Sequence, residues 1–103
     1  MNRRSFQELA RLRLREAQTL LKSKQWEGAY YLAGYSIECA LKACIAKKTR
    51  RSDFPPRPDQ IREIYVHDPT KLVKAAGLLD DLIAKQEIDV EFKAKWSVVK
   101  DWS

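Results

Sequence analysis

One apolar stretch, residues 28–46, restricts the possible folds of this chain more than any other feature. Its sequence, GAYYLAGYSIECALKACIA, is apolar around nearly the whole circumference of a helix, yet it carries Glu38 and Lys42 near its middle. Such a helix must be covered by at least two neighbouring helices. Charged side chains in these surroundings cost free energy unless they are paired or reach solvent. The spacing of Glu38 and Lys42, four residues apart with the acid first, allows them to pair with each other.

Length and composition predict a single soluble domain that spans residues 1–103. The chain is 45% hydrophobic and 33% charged, and its long apolar run is interrupted by charges, so no membrane span is predicted. The N-terminal sequence MNRRS is not typical of a secretory signal, which favours a cytoplasmic location. Cys39 and Cys44 lie five residues apart on one helix, a spacing that suits neither a metal site nor a disulfide, so both are expected to be buried free thiols.

Positive charge is concentrated in the first half of the chain. Residues 1–57 hold thirteen Lys or Arg against five acids, a net +8, whereas residues 58–103 hold seven against nine, a net −2. A basic surface of this kind attracts nucleic-acid phosphates without regard to base sequence. A solvated surface that keeps the protein soluble is the alternative. The candidate basic residues that follow the apolar stretch are Lys47, Lys48, Arg50 and Arg51.

Two long helices are predicted for the first half of the chain. The pattern Ser5-Phe-Gln-Glu8 is a capping box that opens a helix from about Phe6 to Lys24. A short connection then leads into a second helix from about Glu27 to Lys48, so the two should form an antiparallel hairpin with Trp26 packed at its end.

Two residues in these helices are unusual for their positions. Arg13 falls within the apolar arc of the first helix, where it either extends to solvent along its aliphatic stem or pairs with Glu38 across the hairpin. Gly34 lies in mid-helix without a turn around it, which indicates the close approach of another backbone.

The second half of the chain predicts shorter helices. Three of the four prolines fall within residues 49–67, which predicts a long loop between the second and third helices. Asp68-Pro69 is typical of a helix start, and Gly77 of a helix end. One or two helical turns follow, and Val90 to Trp102 predicts a last helix. No strand pattern is present, so the expected fold is all-α.

The aromatic residues allow two interpretations. Tyrosines on a largely apolar helix are expected to belong to the core, although a platform for stacking bases is the alternative. Trp96 and Trp102 are expected to close the bundle or a dimer seam. The tyrosines concerned are Tyr30, Tyr31 and Tyr35.

Three segments together resemble the HEPN domains (higher eukaryotes and prokaryotes nucleotide-binding). They are GYSIECALKA at 34–43, HDPTKL at 67–72 and WSVVKDW at 96–102. The resemblance implies an up-and-down helical bundle of the four-helix type, which usually forms a dimer and is often encoded beside a minimal nucleotidyltransferase. Some HEPN domains are metal-independent ribonucleases of toxin–antitoxin or antiphage systems, and others are non-catalytic binding modules.

The ribonuclease members carry an arginine and, four to six residues later, a histidine in their last long helix. Histidine exchanges a proton near neutral pH, and arginine stabilises the charge that develops around phosphorus. Arg62 and His67 satisfy this spacing, but they lie in the predicted loop before the third helix. We interpret the match as accidental and His67 as a residue that contacts helix-end groups. A chain that is truncated within the last helix, and so lacks the motif, is an open alternative.

These features predict a non-catalytic module that binds a nucleotide, a nucleic acid or a minimal nucleotidyltransferase partner, with a toxin–antitoxin pair as one implied setting and a homodimer as the expected assembly. Two alternatives stay open: a metal-independent ribonuclease toxin that uses Arg62 and His67, and a purely structural dimerisation or scaffold subunit. No cofactor, metal ion or membrane is expected to take part. The candidate binding residues are Arg13, Glu38, Lys42, Lys47, Lys48, Arg50 and Arg51.

Overall fold

Five helices make up the described part of the chain. The computed structural model describes residues 2–52 and 67–102, with side chains from 2 to 47 and from 67 to 102. Within these residues there is no strand, and the prediction of an all-α fold is confirmed. The predicted proline-rich loop lies outside the described residues. The helices are α1 (Arg3–Lys22), α2 (Trp26–Ser52), α3 (Pro69–Ala75), α4 (Leu79–Ile88) and α5 (Val90–Val99).

The first helix begins earlier than predicted because a different residue caps it. The Asn2 side-chain oxygen accepts a hydrogen bond from the Ser5 backbone N–H at 2.9 Å and another from the Ser5 hydroxyl at 3.1 Å. The expected capping box is therefore absent, and Glu8 pairs with Arg4 at 3.3 Å instead. An Asn side chain satisfies a first-turn N–H that has no partner within the helix, so α1 extends back to Arg3.

Helices α1 and α2 form the predicted antiparallel hairpin. The Gln25 backbone N–H donates to the Leu20 carbonyl at 2.8 Å across the short turn. Nearer the middle of the hairpin, the buried Ser36 hydroxyl donates to the Ala10 carbonyl at 2.6 Å, which ties the two helices together. Small buried side chains on both helices allow this close approach. They are Ala10, Ala17, Ala29 and Ala43.

Gly34 provides space for a tryptophan ring. A Cβ atom at Gly34 would lie 2.1 Å from Trp102 Nε1, far inside contact distance. Trp102 is 5% exposed and packs on α2 from beyond the end of α5. The expectation of a close approach at Gly34 is therefore confirmed, but an aromatic side chain makes it, and the expected backbone does not.

The third helix has the predicted start and end. The Asp68 carboxylate accepts from the Thr70 backbone N–H at 2.9 Å, and Pro69 occupies the first turn, where its missing N–H is not needed. Gly77 has φ 75°, and the next residue, Leu78, donates its N–H to the Val73 carbonyl at 3.0 Å. This is the Schellman arrangement that glycine favours at helix ends.

Helix α2 is less completely covered than its sequence predicts. Tyr30 and Tyr31 are 45% and 58% exposed, so their assignment to the core is wrong. The Tyr30 hydroxyl donates to the Val98 carbonyl at 3.4 Å, and the Tyr31 ring lies 5.9 Å from the Trp102 ring, both at the rim of the bundle. Trp26 is also mostly exposed and does not pack the end of the hairpin.

An apolar groove separates α2 from the last two helices. It has a volume of about 450 Å³, and its walls include Ile37 and Leu41 of α2 opposite Phe92 and Trp96 of α5. Trp96 is thus half-buried in the wall of this groove, whereas Trp102 closes the bundle as expected.

Candidate functional site

A cluster of charged side chains is centred on Glu38. Glu38 is 3% exposed, and the Lys42 ammonium lies 3.2 Å from its Oε2. The predicted pair of Glu38 and Lys42 is therefore confirmed. The other carboxylate oxygen, Oε1, lies 2.6 Å from Nδ1 of His67, which comes from the segment just before α3. Both oxygens of this buried carboxylate are thus satisfied, as a buried charge requires.

The contact with Glu38 determines which nitrogen of His67 is available to a ligand. An ionised carboxylate can only accept hydrogen bonds, so the Nδ1 atom of His67 must donate. The His67 side chain is 68% exposed, and Nε2 is the ring nitrogen left to exchange a proton or contact a ligand. A carboxylate that orients a histidine in this way is a common feature of general acid–base sites. Sequence reasoning placed His67 near a helix end but did not link it to Glu38.

Arg13 does not join this cluster. Its guanidinium forms an ion pair with Glu16, one turn further along α1, and the alternative pair of Arg13 with Glu38 is not formed. Glu16 is on the same helix and is partly exposed, so Arg13 can pair with it without being moved into the buried interior. Glu38 already has Lys42 and His67 as partners.

The two cysteines differ in their surroundings. Cys39 is buried as predicted, and burial raises the pKa of its thiol, with the neighbouring Glu38 charge adding to the effect. Burial also raises the pKa of the Tyr35 hydroxyl. Both groups therefore stay protonated at neutral pH. Cys44 is exposed, so its assignment as a buried thiol is wrong.

A basic groove lies between α1 and α2 on the side of α2 away from Glu38. Its volume is about 370 Å³. Arg3 and Arg11 from the start of α1 and Lys47 from the second half of α2 supply three cations, and none of the described residues that line the groove carries a carboxylate. The antiparallel hairpin brings these residues together, because the first turns of α1 run beside the later turns of α2. The remaining lining residues are Gln7, Ala10, Ala40, Ala43 and Cys44.

The basic groove contains only part of the predicted basic cluster. Lys47 lines it, whereas Lys48, Arg50 and Arg51 follow along the backbone of α2, and their side chains lie outside the description. Arg62 also lies outside the described residues, so the spacing of Arg62 and His67 stays a sequence match. Arg3 and Arg11 are not among the candidate binding residues predicted from the sequence. The predicted antiparallel hairpin could have indicated this groove, because it places the start of the first helix beside the later turns of the second, where Lys47 lies.

Residues 2–52 and 67–102 contain neither a metal-binding cluster nor a membrane-spanning helix. No group of three or more His, Cys, Asp or Glu side chains there is arranged to hold a metal ion. None of the helices in the same residues is both long enough and apolar enough to span a bilayer.

Comparison with known proteins identifies the family. The family model described as HEPN domain matches residues 4–91, most of the chain. Neither the curated proteins nor the solved structures gave a match. The matched region contains the α1–α2 hairpin apart from Arg3, the Glu38 cluster, the lining residues of the basic groove apart from Arg3, and helices α3 and α4. The chain belongs to the HEPN domain family.

Proposed function

We propose that this HEPN domain binds a nucleotide or a nucleic acid through the basic groove and catalyses no reaction there. One observation carries the proposal: Arg3, Arg11 and Lys47 surround one groove, and no carboxylate of the described residues lines it. Within the described residues, none of the three forms an ion pair. Cations without an ion-pair partner in this part of the chain are available to phosphate groups, which arginine and lysine both bind well.

The dimensions of the groove suit this ligand class. Its volume of about 370 Å³ lies within the range of about 300–1,000 Å³ that small-molecule sites occupy. The groove is open along the hairpin, so a polynucleotide strand could continue beyond it. Because α2 continues to Ser52, the proposal includes Lys48, Arg50 and Arg51 as further contacts to the same phosphate backbone.

Fluorescence anisotropy with a labelled single-stranded RNA and with a labelled nucleoside triphosphate tests the proposal. The variant Arg11→Ala/Lys47→Ala removes two exposed cations of the groove, and we expect binding to weaken by about tenfold or more, roughly 1.4 kcal/mol. Lys74→Ala/Lys93→Ala is the matched control, because it removes the same charge from exposed positions on α3 and α5. Equal affinities for the two variants, or no binding by the wild type at low salt, would overturn the proposal.

Family membership supports two partner proposals beside the groove. One is a homodimer, and the other is a complex with a minimal nucleotidyltransferase, as in a toxin–antitoxin pair. Co-expression with a nucleotidyltransferase encoded next to the gene, followed by size-exclusion chromatography, tests the second. Separate elution of the two proteins would count against it.

The Glu38–His67 contact favours a second candidate function, metal-independent cleavage of RNA. A buried carboxylate that holds Nδ1 stabilises the imidazolium that forms when Nε2 takes a proton from a reacting hydroxyl. An RNA-degradation assay compares the wild type with His67→Ala and Glu38→Gln. Cleavage by the wild type that both substitutions abolish would support the enzyme. Intact RNA after incubation with the wild type would exclude it and leave binding, or a scaffold role if RNA and nucleotides also fail to bind.

A further inference from the structure

The apolar groove between α2 and the last two helices has walls that stay partly exposed. Helices α4 and α5, whose residues are all described, contain no buried residue. Six large apolar side chains of the groove are only half-buried, so part of their surface still faces it. They are Ile37, Leu41, Leu82, Phe92, Trp96 and Val99.

The sequences of both last helices direct one face into this groove. On each of them the lining residues fall at i, i+3, i+4 and i+7, which is the spacing of a single helical face. An amphipathic helix normally buries such a face against a neighbour. Here the neighbour, α2, lies across a space of about 450 Å³. The lining positions are 78, 81, 82 and 85, which begin at the N-cap of α4, and 92, 95, 96 and 99 of α5.

The surface and the volume of the groove suit a small ligand with an apolar body. The walls that face the groove are almost entirely carbon, so a ligand body that enters it removes apolar surface from water. Phe92 and Trp96, one turn apart on α5, supply two aromatic rings against which such a body can pack. The volume of about 450 Å³ lies within the range of about 300–1,000 Å³ that small-molecule sites occupy.

The length of the α2 wall favours a small molecule over a helix of another protein. This wall runs from Ile37 to Leu41, one helical turn, or about 6 Å. A helix that docks in a groove uses anchor residues from i to i+7, which spread over about 10 Å. The α2 wall is therefore too short to hold the full set of anchors.

Two of the three charged residues that line the groove already have partners. The Lys85 ammonium lies 3.3 Å from the Asp89 carboxylate and 5.9 Å from the centre of the Phe92 ring. Asp89 is itself held in place, because it caps α5 by accepting a hydrogen bond from the Phe92 N–H at 3.0 Å. The Lys95 ammonium lies 3.1 Å from the Glu91 carboxylate. The positive charges of the groove are thus compensated within the protein.

Asp81 is the third charged residue of the groove, and its charge is not compensated. It lies in the first turn of α4 and forms no ion pair with any other residue in the described part of the chain. The charge that the groove offers to a ligand is therefore negative. The aromatic walls act in the same direction, because the face of an aromatic ring attracts a cation.

We propose that this groove binds small amphipathic cations, molecules with an aromatic or aliphatic body and a protonated amine. The body packs between α2 and the two rings of α5, and the amine pairs with Asp81. No described residue lines both this groove and the basic groove, and the two take ligands of opposite charge. The inference therefore goes beyond the proposed binding of nucleic acid and does not depend on it.

Two ligands that share a naphthalene body and differ in charge test the proposal by NMR titration. We expect naphthylethylamine to shift the indole N–H signal of Trp96 saturably, whereas the signal of Trp26, which is 60% exposed and outside the groove, stays unchanged. Loss of one signal in Trp96→Phe assigns the groove resonance. Naphthylacetate should bind at least about fivefold more weakly, although the net charge of +6 attracts anions to the protein in general.

Matched variants locate the site. Asp81→Asn should remove the preference for the amine, whereas Asp80→Asn removes the neighbouring exposed carboxylate, which does not line the groove, and should keep it. Val99→Trp fills the groove and should abolish binding, whereas Val98→Trp adds the same ring at an exposed position outside it and should not. The aspartate variants decide the outcome if circular dichroism shows that Val99→Trp does not fold.

Three results would overturn the proposal. The first is binding of naphthylacetate that equals or exceeds that of naphthylethylamine. The second is the same affinity of Asp81→Asn and Asp80→Asn for the amine. The third is the absence of a saturable shift in the wild type, which would mean that a second copy or another part of the chain already fills the groove.

Discussion

Substitution of Gly34 by alanine should destabilise the fold, although alanine is the better helix former. In an exposed mid-helix position, Gly→Ala stabilises by about 0.5–1 kcal/mol. At Gly34 the new Cβ would fall between 2.1 and 2.3 Å from three atoms of the Trp102 indole. The ring must therefore leave a position in which it is 5% exposed. Loss of a buried tryptophan costs about 3–5 kcal/mol, and partial displacement near the chain end should cost about 1–3 kcal/mol net.

A double-mutant cycle measures this effect, because its sign should reverse when the ring is absent. We expect Gly34→Ala to lower the free energy of unfolding in the wild type, followed by circular dichroism during urea titration. In the Trp102→Ala background the same substitution should raise it by about 0.5–1 kcal/mol. Stabilisation of the wild type by Gly34→Ala would show that Trp102 does not occupy the space above this glycine, and the packing of the chain end onto α2 would then be wrong.

Two further predictions concern charged side chains. Glu38→Ala should lower the free energy of unfolding by about 2–4 kcal/mol, because it leaves buried Lys42 without its partner. The control Glu16→Ala breaks a partly exposed pair and should lower it by less than about 1 kcal/mol. Equal losses for the two variants in urea titrations would refute the reasoning. The hydrogen bond from the Phe92 N–H, aided by Lys85, lowers the pKa of Asp89 below its usual value of 3.8. The charged form of Asp89 therefore stabilises the fold above that value, and this contribution is lost as the pH falls through the folded-state pKa. Asn at position 89 still accepts the capping hydrogen bond but does not titrate. The stability advantage of the wild type over Asp89→Asn should therefore shrink as the pH is lowered from 5 to 2. A difference in stability that stays constant over this range would contradict the prediction.

Local signals predicted the parts of this fold that depend on neighbours in sequence. Asp68-Pro69 and Gly77 define α3 because capping bonds and a positive φ involve only adjacent residues. The pair of Glu38 and Lys42 follows from one turn of helix. The start of α1 was predicted less well, because Asn2 and Ser5 both provide capping groups and only the structure shows which one is used.

Features that depend on distant contacts were not predictable in the same way. Tyr30 and Tyr31 fit a core pattern, but the later helices leave that side of α2 open. The contact of His67 with Glu38 joins residues 29 positions apart, and nothing in the local pattern indicates it. The basic groove likewise depends on which residues of α1 lie beside which residues of α2. The sequence predicts that the two helices are antiparallel but does not predict this register.

The salt dependence of RNA binding tests the central claim, that the basic groove holds phosphates, most directly. Each phosphate contact to a single strand contributes about 0.7 to the slope of log affinity against log salt concentration. We therefore predict that Arg11→Ala/Lys47→Ala reduces the magnitude of this slope by about 1.4 relative to the wild type, whereas Lys74→Ala/Lys93→Ala leaves it unchanged. The same slope for all three proteins, or wild-type binding that does not respond to salt, would contradict the claim.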